Sequence, residues 1–405
     1  MNTVSQPLSA PRLGLARAPR LRVAHVVTRL IAGAGGITLR GALAVDPDRY
    51  STTILTAEGG SLIERAESSG LEVIPLRHMP TTRGIYPRSD YVGFREIASH
   101  LERGGYDIVH THSAKAGGIG RLAARRVGVP AIVHSFHGFP FHEFQSLPAR
   151  ETLIAIERRL ARMTDYFLTD GTAVAAEAIR LKIAPPERIR AISSPIDTVA
   201  PVSAARRAEA RRRLALPPDA RVIGTAARLD DQKSPLDMVK AVAGLHRPDV
   251  FMVWIGDGHL RAETEQLIEH HGLADRFLLA GERRDVPELL PAFDVFAMSS
   301  LYEGLPCAVV EAMSCGVPVV ATAVNSVPEI VISGRTGLLA RPGDSVSLCR
   351  ALGYLLDHPD EGARMAEAAR AHIGDRFSPE MLGRDMTEAY DVALRDSRRR
   401  PRVAR

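Results

Sequence analysis

Cysteine is scarce in this chain of 405 residues, which contains only Cys307, Cys315 and Cys349. Three cysteines at these spacings form neither a disulfide framework nor a zinc-binding pattern, and they suit a reducing, cytoplasmic environment. The sequence has no run of about 18 or more apolar residues, so nothing in it is expected to span a membrane. Residues 1–20 contain arginine but no acid and lack the apolar core of a signal peptide, which predicts a disordered leader.

Lysine is also scarce, because only four of the 52 basic residues are lysines. A lysine inside a motif is therefore more informative than an arginine. The charge is uneven: residues 1–200 contain 25 Lys+Arg and 18 Asp+Glu, whereas residues 201–405 contain 27 and 29. A basic first half predicts an anionic partner or peripheral contact with the anionic inner face of the cell membrane. The competing explanation is compositional bias, because a GC-rich genome would give arginine for most basic residues. We expect no nucleic-acid partner.

Segments that resemble strands alternate with helical segments along the chain, and the alternation starts again after residue 201. With 45% hydrophobic and 24% charged residues, this pattern predicts a soluble α/β protein, and the length favours two domains. The expected division is a leader over 1–20, a first domain over 21–195, a second over 202–378, a helix over 379–395 that crosses back to the first domain, and a basic tail over 396–405.

One stretch has the pattern of an anion-binding turn. It follows an apolar run over Asp294–Met298, includes Pro306, and ends at Gly316 before a second apolar run over Val317–Ala321. Pro306 suits the first turn of a helix, where a missing N–H costs nothing. The loop 303–305 would then lie at the carboxyl end of a strand and the amino end of a helix, where free N–H groups and the helix dipole favour an anion.

Charged side chains accompany this turn. Glu303 in the loop and Glu311 in the helix can accept hydrogen bonds from the hydroxyls of a sugar and a ribose. In the loop after a predicted strand over Val222–Ala226, Arg228 and Lys233 are five residues apart and can clamp two phosphates. The alternative is that these are ordinary solvated charges, with Glu303 a helix-entry residue.

Histidines collect after two predicted strands of the first half. His112 and Lys115 follow a strand over Tyr106–His110, and His137 follows a strand over Ala131–His134. The carboxyl ends of strands are the usual ligand position of an open α/β sheet. Zinc is not expected, because no acid or cysteine completes a ligand set. We expect these histidines to contact phosphate and hydroxyl groups instead.

Four other segments have weaker patterns. The glycine-rich turn at 33–36 lets a ligand approach the backbone but is not a dinucleotide-binding motif. Asp-Pro-Asp at 46–48 is typical of a turn rather than a metal site. Residues 79–92 are predicted to form a long irregular loop. The amphipathic helix over 151–166 is expected to pack on its own core, with a basic membrane-facing surface as the alternative.

Three separate segments together resemble the family 4 glycosyltransferases of GT-B fold, over about residues 21–395. The segments are Arg228 with Lys233, Glu303 and Glu311 followed by Gly316-Val317-Pro318-Val319-Val320, and Phe136-His137-Gly138. The resemblance implies two Rossmann-like, doubly wound domains that face each other across a cleft. It also implies a nucleotide-sugar donor on the second domain, an acceptor on the first, and transfer with retention of configuration and without a metal or other cofactor.

The resemblance also implies roles for individual residues. Arg228 and Lys233 would neutralise the departing diphosphate, which is the electrostatic part of catalysis. The implied catalytic residues are His137, Arg228, Lys233 and Glu303. The implied donor-binding residues are Gly35, Gly36, Arg283, Val286, Gly304, Leu305 and Glu311. His112 and Lys115 are assigned to the acceptor.

The sequence departs from the family pattern at three places. Ser234 replaces a glycine, Ser194-Pro195-Ile196-Asp197 replaces Asn-Gly-Val-Asp, and Thr169-Asp170-Gly171 replaces Val-Ser-Glu. The segments His112–Gly117 and His137–Glu143 are similar to a bacterial subgroup that acts in polysaccharide or envelope-glycan assembly. We therefore expect Lys115 and nearby arginines to meet an anionic acceptor.

These patterns favour an enzyme that moves a hexose or N-acetylhexosamine from a UDP-sugar to a lipid-linked or polysaccharide-precursor glycan. A soluble natural-product acceptor, such as an antibiotic or aminocyclitol, is the main alternative. A GT-B nucleotide-sugar 2-epimerase and a non-catalytic binding protein are the others. The sequence does not identify the transferred sugar, and it leaves GDP or ADP as alternatives to UDP.

Overall fold

The computed structural model describes residues 19–399 other than 32, 83, 194 and 197–199. It contains two sheets, each made of parallel strands with helices on both faces. The expected leader, except for residues 19 and 20, lies outside the described residues. So do residues 400–405 of the expected basic tail, and Ser194 and Asp197 of the Ser-Pro-Ile-Asp segment.

The first sheet is formed by seven strands. They are β1 (Leu21–Val26), β2 (Tyr50–Ala57), β3 (Glu72–Leu76), β4 (Ile108–His112), β5 (Ala131–Phe136), β6 (Tyr166–Thr169) and β7 (Ile189–Ala191). Their order is β3-β2-β1-β4-β5-β6-β7, and all pairs are parallel. The central strands β4 and β5 are buried along their whole length, as expected where helices cover both faces of a parallel sheet.

Six helices from the first half of the chain flank this sheet. They are α1 (Ala34–Ala44), α2 (Ile63–Ser68), α3 (Pro87–Gly104), α4 (Ala114–Val127), α5 (Leu147–Ala161) and α6 (Thr172–Arg180). The prediction for 79–92 is wrong in its second half, because α3 begins at Pro87, a residue type that suits a first helical turn. The helix predicted over 151–166 starts earlier and ends at Ala161, because Tyr166 already belongs to β6.

The second sheet has six parallel strands. They are β8 (Arg221–Ala226), β9 (Val250–Ile255), β10 (Phe277–Gly281), β11 (Val295–Met298), β12 (Val319–Thr322) and β13 (Leu338–Ala340). Their order is β10-β9-β8-β11-β12-β13. The accompanying helices are α7 (Ala204–Arg213), α8 (Pro235–Gly244), α9 (Arg261–His270), α10 (Val286–Leu289), α11 (Cys307–Cys315), α12 (Ser345–Asp357) and α13 (Pro359–Ile373).

The last described helix, α14 (Pro379–Arg399), packs on the first sheet although it follows the second sheet in sequence. Its residues Met386 and Tyr390 are at most 2% exposed and share a core with Val23 and Ile108 of the first sheet. The first domain therefore depends on segments far apart in sequence. None of the described helices combines the length and apolar character needed to cross a bilayer.

Both sheets have a topological switch point, where the strand order reverses. In the first sheet it lies between β1 and β4, and in the second it lies between β8 and β11. Ligands of open α/β sheets bind outside the carboxyl ends of the strands at these points. The two switch points therefore direct attention to the loops after β1, β4, β8 and β11.

Candidate active site

The loops after β8 and β11 are joined by an ion pair. The ammonium of Lys233 donates a hydrogen bond to the carboxylate of Glu303. The Ser299 hydroxyl donates to the carbonyl of Lys233 at 2.8 Å, and the Glu303 N–H donates to Asn325 Oδ1 at 2.9 Å. These bonds hold both charged side chains at the carboxyl edge of the second sheet.

Arg228 lies on the same loop and is more exposed, with 56% of its side chain accessible. Its guanidinium pairs with Asp230 at 2.9 Å and donates to Gln232 Oε1 at 3.2 Å. Gln232 in turn donates to the carbonyl of Tyr302 at 3.0 Å. Arg228 is thus connected to the Tyr302–Glu303 turn through one side chain, which sequence spacing did not indicate.

The backbone conformation of Ser234 explains why the family pattern has glycine at this position. Its φ is 46° and its ψ is 61°, in the left-handed region that glycine adopts without strain. The Ser234 hydroxyl donates to Asp237 at 2.7 Å in the first turn of α8. The serine is therefore accommodated by a local hydrogen bond at the cost of a strained backbone.

The amino end of α11 has no side-chain cap. Pro306 is the residue before the helix, with extended backbone, rather than part of the first turn as predicted. No described residue accepts a hydrogen bond from the N–H groups of Gly304, Leu305 or Cys307. Burial raises the pKa of the Cys307 thiol to about 11, so the thiol itself carries no negative charge at neutral pH.

Glu311 lies in α11, partly buried, one turn beyond Cys307. Its charge acts on the Cys307 thiol together with those of Arg40, Asp170 and Lys233. The structure therefore places Glu311 beside the group of charges at the helix start. Its predicted contact with a ribose stays a prediction.

Arg40 is a candidate that sequence reasoning missed. It extends from α1 of the first domain, and its guanidinium lies 3.6 Å from the Cys307 sulfur of the second domain. Its Nε is buried without a hydrogen-bond partner, and none of the described carboxylates forms an ion pair with it. A positive charge beside the positive end of a helix is favourable only with an anion between them.

The predicted glycines Gly35 and Gly36 open α1, and both are buried. A Cβ on Gly35 would lie 2.6 Å from the carbonyl oxygen of Arg29, so backbone packing within the protein requires glycine there. A Cβ on Gly36 would lie 3.4 Å from the guanidinium of Arg40. Gly36 therefore leaves room for Arg40.

His137 follows β5, and its side chain is 5% exposed. Its Nδ1 lies 3.0 Å from both carboxylate oxygens of Asp170, and its Nε2 lies 3.0 Å from His112 Nδ1. Asp170 follows β6, and we noted it from the sequence only as a departure from the family pattern. An acid directly after a buried strand was the signal that would have identified it.

The two domains meet at His137. Gly138 has a φ of 98°, and a Cβ there would lie 3.6 Å from the N atom of Gly304. Nearby, the His142 ring stacks on Tyr302 at 4.1 Å between centroids. The candidate donor loop and the candidate active-site histidine therefore face each other directly.

A second contact between the domains involves Glu329. Its carboxylate accepts hydrogen bonds from the N–H groups of Thr172 at 3.1 Å and Ala173 at 2.9 Å, at the amino end of α6. Burial raises the pKa of this carboxyl, but the bonds from Ala173 and Thr172 outweigh that effect and lower it. Glu329 thus caps a helix of the other domain.

The predicted donor-binding residues Arg283 and Val286 follow β10, an edge strand of the second sheet. Arg283 forms two hydrogen bonds of 2.8 Å with Asp285, which raise the arginine pKa. Val286 is the first residue of α10. The structure brings neither residue into contact with the Lys233–Glu303 pair.

The two predicted acceptor residues are engaged within the protein. His112 is 3% exposed, and its nitrogens bond to His25 and His137. The ammonium of Lys115 donates to Asp90 at 2.8 Å and to the carbonyl of Gly84. His112 therefore presents no free nitrogen to an acceptor, and the charge of Lys115 is compensated by Asp90.

The comparisons with known proteins cover both domains. Residues 32–195 match the model of the glycosyl transferase 4-like domain, and residues 206–372 match that of the glycosyl transferases group 1. The chain is 32% identical to a D-inositol 3-phosphate glycosyltransferase of Streptomyces scabiei, over 73% of this chain and 70% of that protein. It is 29% identical to the UDP-Gal:alpha-D-GlcNAc-diphosphoundecaprenol alpha-1,3-galactosyltransferase of Escherichia coli, over 84% and 88%.

Solved structures agree on the fold. Anabaena HepE in complex with UDP and glucose superposes with a TM-score of 0.80 at 22% identity, covering 92% of this chain and 100% of that one. WaaG, a glycosyltransferase involved in lipopolysaccharide biosynthesis, superposes with a TM-score of 0.70 at 17% identity, covering 92% and 99%. The predicted arrangement of two Rossmann-like domains across a cleft is confirmed. The chain belongs to the family 4 glycosyltransferases of GT-B fold.

Proposed function

We propose that this protein is a retaining glycosyltransferase that moves a hexose or N-acetylhexosamine from a UDP-sugar to a hydroxyl of a lipid-linked or polysaccharide-precursor glycan. The observation that carries the proposal is the meeting of Lys233, Arg228 and the uncapped amino end of α11 in the cleft between the domains. Such an end binds phosphate readily. Arg40 adds a third positive charge from the opposite domain.

The proposed chemistry uses these charges on the leaving group. When the bond from the sugar to the diphosphate breaks, negative charge develops on the diphosphate, and positive groups already in place stabilise it without reorganisation. Because the chain supplies these charges itself, the proposal requires no divalent cation. Retention follows if the acceptor hydroxyl attacks from the face that the diphosphate leaves. Glu303, fixed by Lys233, would hold hydroxyls of the transferred sugar.

Two relatives support the choice of donor. The Escherichia coli relative is named for UDP-Gal, and the HepE structure contains UDP and glucose. The test is a thermal-shift screen with UDP, GDP, ADP and their sugars. A ligand that binds only the native state raises Tm, by an amount that grows with ligand concentration.

A Tm increase with UDP and UDP-sugars that is lost in Arg228→Ala and Glu311→Ala would locate the donor. Lys240→Ala, which changes an exposed lysine of α8, is the matched control and should keep the full increase. If no nucleotide raised Tm, the donor site would be wrong and a binding protein without transferase activity would be favoured. Measuring the product anomer by NMR, with and without EDTA, would then test retention and metal independence.

The same Escherichia coli relative suggests a lipid diphosphate-linked acceptor. The Streptomyces relative, named for D-inositol 3-phosphate, favours a small anionic acceptor as the second candidate. Both acceptors contain phosphate. Product formation from a polyprenyl diphosphate-linked sugar, compared with that from inositol 3-phosphate at equal concentration, separates the two.

Membrane contact is proposed for a surface of the first domain that we call the 85–92 surface. Its apolar and aromatic side chains are 44–61% exposed. They are Ile85, Tyr86, Tyr91 and Val92. Helix α5, the earlier candidate, buries Ile154 and Leu160 in its own core. The test of membrane contact is sedimentation with anionic vesicles. We expect less of the double variant Tyr91→Ser/Val92→Ser to sediment than of wild type. The control variant Leu278→Ser, at an exposed apolar site of the second domain, should bind like wild type, and equal binding of the two variants would contradict the proposal.

A further inference from the structure

Gln232 lies between the charged groups of the second-domain site. It belongs to the loop after β8 and directly precedes Lys233. Its main-chain carbonyl accepts a hydrogen bond from the N–H of Leu301 at 2.8 Å, and its side chain donates to the carbonyl of Tyr302 at 3.0 Å. Besides the ion pair of Lys233 with Glu303, these two hydrogen bonds join the loop after β8 to the turn after β11.

The same side chain also reaches both charges. Gln232 Oε1 accepts a hydrogen bond from the guanidinium of Arg228 at 3.2 Å. Its Nε2 lies 3.4 Å from Glu303 Oε2, whereas Lys233 contacts the other oxygen of that carboxylate. A single amide group therefore lies between the arginine and the carboxylate.

The orientation of this amide follows from its partners. The oxygen and the nitrogen of a glutamine side chain are assigned from the hydrogen bonds that they make. A main-chain carbonyl only accepts, so the group that faces Tyr302 is the NH2. A guanidinium only donates, so the group that faces Arg228 is the oxygen. Both partners require the same orientation, and neither depends on a protonation state.

The chemistry of glutamine suits this position. A glutamate would accept from Arg228, but it would place a carboxylate oxygen against the carbonyl of Tyr302 and against Glu303. A lysine could donate to both of those groups, but it would repel Arg228. Of these three side chains, only the amide donates and accepts while adding no charge.

We propose that Gln232 is a positioning residue, which orients Arg228 relative to the Tyr302–Glu303 turn and keeps a neutral group between Arg228 and Glu303. The inference rests on the proposed function, in which Arg228 meets the donor diphosphate. The Arg228 side chain is 56% exposed, and an arginine side chain has many rotamers to choose from. Without the amide, its guanidinium would be free to turn into solvent or to pair with Glu303. Either change removes an oriented charge from the leaving group.

The kinetic test compares two substitutions of similar length. Gln232→Met removes both side-chain hydrogen bonds, and Gln232→Glu keeps only the acceptor. We expect Gln232→Met to lower kcat about tenfold with little change in the KM for the donor, because the charge of Arg228 is still present but is less well oriented. We expect Gln232→Glu to raise this KM as well, because the added carboxylate compensates Arg228 and repels the diphosphate.

A double-mutant cycle separates positioning from a general structural effect. If Gln232 acts through Arg228, Gln232→Met should lower kcat no further in protein that already contains Arg228→Ala. A general loss of structure would instead lower kcat by the same factor in both backgrounds. Gln266→Met, which changes an exposed glutamine of α9, is the matched control and should be as active as wild type.

The arrangement itself is tested without any substrate, by NMR of protein labelled with ¹⁵N in its glutamine side chains. The chain contains only four glutamines, so the signals of Gln232 are assigned from those lost in Gln232→Met. We expect these signals to shift in Arg228→Ala. The signals of Gln145, whose amide bonds to Pro140 and His142 in the first domain, should not shift.

Two results would overturn the inference and leave the proposed function intact. One is a set of Gln232 signals that does not respond to Arg228→Ala. The other is a kcat in Gln232→Met that equals that of wild type, or that falls by the same factor with and without Arg228. If wild type bound no nucleotide and transferred no sugar, the proposed function would be wrong, and the role of Gln232 in it would be wrong as well. The activity of wild type therefore distinguishes the two failures.

Discussion

The two switch points of this glycosyltransferase differ in the kind of polar side chain that lies at each. In the second domain, Lys233 and Glu303 form an ion pair on two loops, and Arg228 lies largely in solvent. In the first domain, neutral imidazoles from several strands are buried and bonded to one another. The exposed charge of Arg228 can meet an anion at little desolvation cost, whereas buried neutral groups are suited to holding one geometry.

The largest expected effect is that of acid pH, which should make the first domain less stable than the second. The unfolded chain takes up protons near pH 6.5, whereas buried His25, His110, His112 and His134 do not until far lower pH. The free energy of unfolding therefore decreases as pH falls below 6.5, by about 1.4 kcal/mol per pH unit for each such histidine. All four belong to the first domain.

The single tryptophan, Trp254, lies in β9 and reports on the second domain alone. At pH 5.5 we expect urea to change the far-ultraviolet circular dichroism before it changes Trp254 fluorescence. At pH 7.5 the two transitions should lie closer together. Transitions whose separation is the same at both pH values would show that the buried histidines do not distinguish the domains.

Loss of either Lys233 or Arg228 should have the next largest effect, and the effect should be on catalysis. Removing one preorganised group that stabilises developing charge typically lowers kcat by about 10²–10³-fold. We expect Lys233→Ala and Arg228→Ala to show losses of this size, with Lys233→Arg partly active. The measurement is steady-state kinetics with the donor found in the screen. A loss in Lys240→Ala as large as that in Lys233→Ala would contradict the assignment.

Weakening the contact between the domains at Glu329 should have a smaller effect, which we expect on the KM for the donor. A hydrogen bond to a charged group contributes about 1.5–3 kcal/mol. Glu329→Gln, which removes the charge but keeps an acceptor, is expected to raise the KM for the donor several-fold by weakening closure of the cleft. Glu361→Gln, on the surface helix α13, is the control. Unchanged KM in Glu329→Gln would show that the capped α6 contact does not stabilise the closed arrangement.

The smallest effect is expected at Ser234, whose φ of 46° is strained for serine. Ser234→Gly should relieve this strain and leave catalysis unchanged, with a change in the free energy of unfolding below about 1 kcal/mol because glycine also gains freedom in the unfolded chain. Urea denaturation followed by Trp254 fluorescence measures it. A large loss of stability would mean that the Ser234 bond to Asp237 outweighs the strain.

The second-domain site was predictable because its residues are close in sequence or lie in one strand–loop–helix unit. Spacing alone placed Glu303 before α11 and Arg228 and Lys233 on one loop. The hydrogen bonds among the buried histidines were not predictable, because strand order brings His25, His112 and His137 together and a helix hundreds of residues away adds Tyr390. Arg40 was missed for the same reason: its partner Cys307 belongs to the other domain. The assignment of His112 to the acceptor followed from its position at the carboxyl end of a strand, which does not reveal that the ring is buried.

Helix α14 also sets the order in which the chain can become active during synthesis. Met386 and Tyr390 complete the core of the first domain, yet the ribosome adds them after the entire second domain. Domains generally fold from the amino terminus as they emerge, but here the first domain must wait with part of its core open. The buried histidines His25 and His110 acquire the Tyr390 hydroxyl as a partner only when the last helix docks. A truncated nascent chain therefore contains a complete second domain and an incomplete first one.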